Sequence, residues 1–292
     1  MIPPGPDAPR PAPGERLQAA GAAVFFGLFR ALPLDMASAL GGAIGRAIGP
    51  RLGVSKRARR NLKAALPALS PPEIEGIVRG MWDNLGRVMA EYPHLTRMRV
   101  FPLNDRVELR GVEHVDAAVA AGRQMIFVSG HFANWELGPL AAVQYGLPVA
   151  LIYRALNNPL VDAMLARMRG GSGELLPKGA IASRGAIASL REGKHLLLLV
   201  DQKLNDGIPV PFFGRDAMTA PALARLAQRY DCVVLPTQIE RRGGARFRLT
   251  VHPPLDASGD AAAVMTRVNA IVEDWVRQNP EQWLWLHNRW PD

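Results

Sequence analysis

Cysteine is almost absent from this 292-residue chain, and its scarcity excludes the folds that depend on several cysteines. A single residue, Cys232, excludes a disulfide scaffold, and no CxxC pair or HExxH sequence is present to hold zinc. The sequence also has no GxGxxG pattern and no Walker A loop, so a dinucleotide or ATP site is not predicted. We therefore expect neither a metal ion nor a dissociable cofactor.

Long hydrophobic runs are also scarce. The run over residues 17–29 would reach about 20 Å as a helix, short of the roughly 30 Å hydrocarbon core of a bilayer. The next run, over residues 36–48, is interrupted by Arg46. These lengths favour a helix or helical hairpin that lies in one leaflet over a single N-terminal anchor that spans the membrane. An ordinary core helix is the remaining alternative.

Lysine is rare, whereas arginine is abundant. The chain has 35 basic and 26 acidic residues, a formal net charge of +9. Genomic base composition can enrich arginine by itself; otherwise the excess predicts a polyanionic partner, namely nucleic acid, anionic lipid or an acidic carrier protein. A dense cluster of basic residues follows the apolar runs: Arg51, Lys56, Arg57, Arg59, Arg60 and Lys63. We predict that residues 17–63 attach the protein to an anionic bilayer surface.

The periodicity of the apolar residues divides the chain into three segments. Residues 1–16 are rich in proline and are predicted to be disordered. Residues 17–100 form a helical, membrane-associating segment, in which 71–92 shows the clearest spacing of three and four. From residue 101 to residue 292, short apolar runs alternate with helical stretches. This pattern predicts an α/β domain with a mixed, mostly parallel sheet flanked by helices.

Polar side chains follow three of the predicted strands, and they are the first candidates for a site. His131 comes after Gly130 at the end of one strand, while Arg154 and the pair Asp201-Gln202 follow two others. In open α/β sheets, ligands bind beyond the carboxyl ends of the strands. Arg241, by contrast, lies in an RRGG sequence that predicts an exposed turn.

His131 and Glu136 form the most informative pair. If His131 lies in the turn after the strand, Glu136 can reach back from the first helical turn and orient the imidazole as a general base. Taken separately, each residue also has a structural explanation. A lone histidine after a strand more often has a structural role, and a carboxylate in the first turn of a helix is favoured by the helix dipole. No GxSxG sequence accompanies the pair. A base without an enzyme nucleophile indicates direct transfer of a group to a substrate hydroxyl.

At this point five sequence blocks resemble one known family. HFANWE, which has the pattern H-x4-E, is similar to the H-x4-D/E motif of glycerolipid and lipid A acyltransferases. Further blocks at 60–92, 152–170, 201–227 and 283–290 resemble those of the late (lauroyl/myristoyl) acyltransferases of lipid A biosynthesis. The blocks occur in the family's order and span about 230 residues, counted along the sequence. The resemblance implies a glycerolipid acyltransferase-like architecture.

The resemblance also implies a reaction and its partners. The donor would be an acyl chain on acyl carrier protein (acyl-ACP), and the acceptor a hydroxyacyl hydroxyl of a phosphorylated lipid A precursor. His131 would act as base, oriented by Glu136. Arg169, which matches the family's active-site arginine, would bind a phosphate or stabilise the oxyanion. Further substrate or oxyanion candidates are Arg154, Asp201 and Asn134.

The implied location is the cytoplasmic face of a bacterial inner membrane, with no nucleic acid as partner. Two other functions compete with this interpretation. The first is an acyltransferase with another lipid acceptor, such as a lysophospholipid or an amino-acid lipid. The second is a basic membrane-surface or nucleic-acid-binding protein without activity. Asn288 departs from the family pattern, since relatives often have a second arginine there.

Overall fold

The chain opens with helices, and the first of them starts earlier than the sequence predicts. A computed structural model describes residues 11–101, 105–177 and 180–290, without the side chains of 180–183. Four α-helices precede the sheet within these ranges: α1 (Pro13–Ala31), α2 (Leu34–Ile48), α3 (Ser55–Ala65) and α4 (Pro71–Glu91). Helix α1 begins inside the stretch predicted to be disordered, because Pro13 suits the first helical position. Residues 1–10 of that stretch lie outside the described residues.

Helices α2 and α4 pack backbone against backbone. A Cβ atom at Gly41 would lie 2.5 Å from the carbonyl oxygen of Gly86, and one at Gly45 would overlap the carbonyl oxygen of Trp82. Glycine is therefore required for this close approach. Among the residues that the structure describes, no helix combines the length and the apolar content needed to cross a bilayer.

The described part of the chain contains nine strands, seven of which form one sheet. They are β1 (Val107–Arg110), β2 (Met125–Ser129), β3 (Val149–Tyr153), β4 (Glu174–Pro177), β5 (His195–Leu199), β6 (Ile208–Phe212), β7 (Arg215–Thr219), β8 (Val233–Arg241) and β9 (Phe247–Val251). The sheet order is β1-β9-β8-β2-β5-β3-β4, and its described pairs are parallel except β8 with β9. Strands β6 and β7 form a separate antiparallel hairpin. The prediction of a mixed, mostly parallel sheet is confirmed.

Helices cover both faces of this sheet. They are α5 (Val112–Ala120), α6 (Leu137–Gln144), α7 (Pro159–Arg169), α8 (Ala180–Arg191), α9 (Ala222–Arg229) and α10 (Ala261–Gln278). In the central strand β2, Phe127 belongs to the core that includes residues of α5 and α6, whereas Ile126 and Val128 belong to the core with α8, α9 and α10. Burial on both faces explains why β2 has a continuous apolar sequence.

Candidate active site

His131 and Asp201 meet at the carboxyl edge of the sheet. Strands β2 and β5 run parallel with Ser129 opposite Leu199, so each of the two residues lies two positions beyond a paired one. His131 Nδ1 lies 2.8 Å from Asp201 Oδ1, and the backbone N–H of His131 donates to Oδ2 at 2.7 Å. Trp283 Nε1 donates to the same Oδ2 at 2.8 Å. Asp201 is therefore the carboxylate that holds the histidine.

The environment of Asp201 keeps its carboxyl group ionised. Burial alone would raise the pKa of Asp201, but the charge and hydrogen bonds of His131 outweigh burial and hold this pKa well below its ordinary value. An ionised carboxylate only accepts hydrogen bonds, so Nδ1 of His131 carries the proton. In the neutral imidazole, Nε2 then has the lone pair that a general base requires.

Three further side chains surround His131. The amide nitrogen of Gln202 lies 3.3 Å from His131 Nε2 and 3.4 Å from His287 Nε2. The His131 ring centroid lies 4.9 Å from that of His287 and 5.1 Å from that of Trp135. The sequence analysis included Gln202 among the residues that follow a predicted strand, but it predicted no role for this side chain. His287 was not predicted, because it lies in the distant C-terminal tail.

Glu136 does not contact His131, and this corrects the predicted pairing. Its carboxylate instead accepts two hydrogen bonds from Arg169, from Nε and Nη2, each at 2.8 Å. It also accepts from the Tyr92 hydroxyl and from Trp135 Nε1. These donors occupy the carboxylate, and Asp201 takes the place beside His131 because β5 is the strand next to β2.

Arg169 and Glu136 form a bidentate, nearly buried ion pair. Their side chains are only 14% and 4% exposed, and the Arg169 guanidinium lies 5.8 Å from the Tyr92 ring centroid and 5.5 Å from that of Tyr153. Burial alone would lower the pKa of Arg169, but the hydrogen bonds and charge of Glu136 outweigh burial and raise it above its ordinary value. Two guanidinium nitrogens thus contact Glu136, and the phosphate or oxyanion contact of Arg169 stays a prediction.

The other two predicted residues lie in different environments. Asn134 is fully buried, donates from its amide to Glu91 Oε2 at 2.8 Å and accepts from the Glu136 N–H at 3.2 Å. Both contacts stabilise the loop between β2 and α6, and the substrate contact of Asn134 stays a prediction. Arg154 follows β3 as predicted and is exposed.

A second buried ion pair supports this loop. Arg241 Nη1 and Nη2 donate to the carboxylate of Glu91 at 2.6 and 3.1 Å, and the Ser38 hydroxyl donates to it at 2.7 Å. The Arg241 side chain is only 7% exposed, so the prediction that Arg241 lies in an exposed turn is wrong. The physical reason is that β8 continues through Arg241, whose guanidinium lies 4.7 Å from the Phe247 ring centroid.

We expect Arg241→Ala to lower the free energy of unfolding by about 3–5 kcal/mol, because it leaves the Glu91 carboxylate buried and unpaired. The matched control is Arg242→Ala, whose side chain is 49% exposed and whose change should stay within about 0.5 kcal/mol. Urea denaturation of both variants measures the difference. Equal stability of the two variants would contradict a supporting role for the pair.

An apolar cleft lies between the sheet and helices α5 and α6. Its cavity volume is about 50 Å³, and the cleft opens to solvent on one side. Phe127 and Leu197 line it from the sheet, and Gly138 and Ala142 from α6. Phe127 and Leu197 belong to β2 and β5, the two strands that His131 and Asp201 follow. The two strands that line the cleft are therefore the same two strands that lead to His131 and Asp201.

Comparison with known proteins identifies the family of this chain. The sequence profile of the bacterial lipid A biosynthesis acyltransferases matches residues 11–292. A lipid A biosynthesis acyltransferase of Haemophilus influenzae is 25% identical over 79% of this chain and 73% of its own length. The lipid A biosynthesis lauroyltransferase of Escherichia coli is 29% identical over 80% and 78%. A phosphatidylinositol mannoside acyltransferase of Mycobacterium tuberculosis is 26% identical over 82% and 78%. The chain thus belongs to the bacterial lipid A biosynthesis acyltransferase family.

Proposed function

We propose that this protein is an O-acyltransferase that moves a fatty acyl chain from acyl-ACP to a hydroxyacyl hydroxyl of a lipid A precursor. The observation that carries the proposal is the buried Asp201 carboxylate on Nδ1 of His131, 2.8 Å away, which leaves Nε2 as the base. Membership of the family supports acyl transfer to a lipid acceptor. The reaction needs no metal or dissociable cofactor.

In the proposed reaction, His131 Nε2 takes the proton of the acceptor hydroxyl while that oxygen attacks the thioester carbonyl carbon. The new C–O bond forms a tetrahedral intermediate, which then expels the carrier's sulfur by breaking the C–S bond. The sulfur leaves as a thiolate and takes the proton back from His131. Asp201 stabilises the imidazolium between these two steps. The Arg169–Glu136 pair fixes the wall of the site beside Trp135.

The apolar cleft is the proposed place for the acyl chain. We expect Ala142→Phe, which adds a ring inside the cleft, to reduce kcat/KM for a long acyl donor relative to a short one by about tenfold or more. The control is Ala117→Phe, at an exposed position of α5, which should leave the ratio unchanged. Acyl-ACP donors of graded length measure this ratio. The same fractional loss of kcat/KM for all donor lengths would contradict binding of the acyl chain in the cleft.

One relative supports a second candidate acceptor. The mycobacterial protein named above acts on a phosphatidylinositol mannoside, according to its name, and is as similar to this chain as the lipid A enzymes are. A sugar hydroxyl of another glycolipid is therefore the main alternative to the lipid A precursor. Lysophospholipids and amino-acid lipids remain weaker alternatives, and the paired His131 and Asp201 argue against a protein without activity.

Lipid analysis of a deletion strain separates the acceptors. Mass spectrometry should find lipid A that lacks one acyl chain and an otherwise unchanged set of phospholipids. Reintroducing the wild-type chain should restore the missing mass, whereas the His131→Ala variant should not. A deletion strain with normal lipid A and an under-acylated glycolipid would overturn the lipid A assignment in favour of the second candidate.

We further propose that the protein binds peripherally to the cytoplasmic face of the inner membrane through an apolar stripe. The stripe consists of exposed side chains of α1, α2 and the segment that follows: Leu17, Val24, Leu28, Met36, Leu40, Ile44, Ile48, Leu52 and Val54. On α2 these residues recur every four positions and so share one face of the helix. The opposite side of α2 packs against α4 and is buried.

We expect the double variant Leu40→Asp/Ile44→Asp to bind anionic vesicles about 100-fold or more weakly, since each side chain contributes roughly 1.5–3 kcal/mol when buried in lipid. The matched control is Val119→Asp on α5, where an equally exposed apolar residue lies outside the stripe. Co-sedimentation with vesicles measures the partition, and high salt should weaken it without abolishing it. Unchanged binding of the double variant would exclude the stripe as the attachment surface.

A further inference from the structure

Positive side chains lie along the carboxyl edge of the sheet, beside the candidate base. Arg154 directly follows β3 and is exposed, while Lys203 directly follows Gln202, whose amide nitrogen lies 3.3 Å from His131 Nε2. Strand β5 lies between β2 and β3, so these two cations continue the row of strand ends that starts at His131. The ends of β2 and β3 are two strand spacings apart, roughly 10 Å. The positive charge therefore starts next to the candidate base and extends away from it along the sheet.

Arg184 extends this row from helix α8. A Cβ atom at the next residue, Gly185, would lie 2.7 Å from Leu176 Cδ2, so this turn of α8 packs directly on β4. Leu176 pairs with Ile152, which precedes Arg154 by two positions. The exposed Arg184 therefore lies near the carboxyl ends of β3 and β4, as Arg154 does.

These three residues, which we call the basic edge, keep their charge available to a partner. Within the described part of the chain, no hydrogen bond or ion pair engages the side chains of Arg154, Arg184 or Lys203. By contrast, Arg169 and Arg241 each donate two hydrogen bonds to a carboxylate. The basic edge thus differs from the arginines that stabilise the fold, whose charge a carboxylate of the chain already balances.

Few accessible carboxylates accompany the basic edge. Asp162 of α7 accepts from the Tyr153 hydroxyl at 3.1 Å and from the Leu156 N–H at 2.9 Å, so two local donors engage it. In the described segments 154–162, 184–190 and 200–207, Asp206 is the one exposed carboxylate. The three cations of the basic edge therefore leave this part of the surface positively charged.

We propose that the basic edge docks the acidic carrier protein that brings the acyl thioester. A positive surface that starts beside His131 is complementary to an acidic carrier at the place where the thioester must arrive. The prosthetic arm of a carrier docked there has to cross only about two strand spacings to bring the thioester carbonyl beside His131 Nε2. This inference rests on the proposed function for the identity of the donor.

An anionic bilayer is the competing occupant of a basic surface, but the chain offers a bilayer a different site. The apolar stripe belongs to α1, α2 and the segment after them, whereas the basic edge belongs to the loops after β3 and β5 and to α8. Within the described segments 154–162, 184–190 and 200–207, the one exposed large apolar side chain is Leu156. A charged surface with so little exposed apolar area suits an acidic protein better than lipid.

The test reverses the charge of the basic edge. Arg154→Glu/Arg184→Glu should lower kcat/KM for acyl-ACP by about 10- to 100-fold at low salt, because electrostatic steering of the carrier is lost, with kcat within about twofold. The matched control, Arg191→Glu/Arg229→Glu, makes the same charge change at the exposed last residues of α8 and α9, which lead to the amino ends of β5 and β8. It should lower kcat/KM by less than about threefold. Added salt should lower kcat/KM of the wild type and of the control, but hardly that of Arg154→Glu/Arg184→Glu.

A donor without a protein separates docking from chemistry. Acyl-pantetheine carries the same thioester, so its kcat/KM should be the same in Arg154→Glu/Arg184→Glu and in the wild type. An equal loss for both donors would assign the two arginines to the reacting atoms or to the acceptor and would overturn the docking surface. Equal losses in the two double variants, or weaker binding to anionic vesicles with an unchanged kcat/KM for acyl-ACP, would overturn it as well.

Direct binding keeps the test independent of turnover. The dissociation constant of holo-ACP, the carrier with its prosthetic arm but without an acyl chain, should rise at least tenfold in Arg154→Glu/Arg184→Glu. If it does, the docking surface stands even when no acyl chain reaches a lipid A precursor, and that failure counts against the proposed function alone. If holo-ACP does not bind the wild type, or binds both double variants as tightly as the wild type, the docking surface is overturned while acyl transfer can still stand.

Discussion

His131→Ala is expected to lower kcat by about 10²- to 10⁴-fold, the usual contribution of a general base. The expectation follows from the geometry at the end of β2, where the ionised Asp201 holds the Nδ1 proton and leaves Nε2 to accept the proton of the acceptor. The KM for either substrate should change little, because the base acts mainly in the transition state. Steady-state kinetics with acyl-ACP and a lipid A precursor provide the measurement.

The control for this variant is Gln202→Ala. The side-chain amide nitrogen of Gln202 also lies 3.3 Å from His131 Nε2, but an amide cannot act as a general base. Its loss should therefore affect kcat far less than the loss of His131. A well-folded His131→Ala protein with full activity would eliminate the base mechanism.

Asp201→Asn is expected to lower kcat by about 10³- to 10⁴-fold while leaving the fold intact. Oδ2 of Asp201 accepts from two fixed donors, the backbone N–H of His131 and Nε1 of Trp283. These donors should keep the oxygen of the new amide in that position and turn its NH₂ group toward Nδ1. The imidazole must then carry its proton on Nε2, where it cannot act as a base.

Glu136→Gln offers the contrast to this variant. It removes the charge that pairs with the nearly buried Arg169, so its main expected effect is a loss of about 3 kcal/mol or more in the free energy of unfolding. The ¹⁵N resonances of His131 report the tautomer directly and should change in Asp201→Asn but not in Glu136→Gln. A tautomer change in Glu136→Gln alone would restore the pairing that the sequence suggested.

The pH dependence of stability provides a further check on Asp201. Its folded-state pKa lies below the unfolded value of about 3.9, so its contribution to stability is complete above that pH. The contribution is lost only as the pH falls through the folded-state pKa. Asp201 should therefore remain ionised throughout the neutral range.

The sheet and the edge that carries the site could be predicted from sequence because they depend on local patterns. Strand β2 is a short apolar run followed by glycine, and the alternation of such runs with helices indicates a parallel sheet. Parallel strands place their carboxyl ends together, so His131 and Asp201 were both candidates.

The pairing of those candidates could not be predicted, since it depends on strand order. Seventy positions separate His131 from Asp201, and only the adjacency of β2 and β5 brings them into contact. Glu136 lies five positions from His131, which made it the natural choice, yet Arg169 competes for its carboxylate from 33 positions away. Closeness in the sequence therefore led to the wrong choice of the carboxylate that orients His131.

Arg241 shows a second limit of the sequence. Its RRGG context is typical of a turn, but the glycines lie beyond the end of β8 and Arg241 itself is still in the strand. Its partner Glu91 ends helix α4, 150 positions earlier. Nothing in the sequence around Arg241 indicates that its side chain pairs with a buried carboxylate.

The most direct test of the account is transfer of one acyl chain by the purified protein. Wild type and His131→Ala should each be incubated with acyl-ACP and a lipid A precursor, and the products weighed by mass spectrometry. We expect the precursor to gain the mass of one acyl group with wild type and almost none with His131→Ala. Equal gains with both proteins, or no gain with wild type, would contradict acyl transfer to a lipid A precursor with His131 as the base.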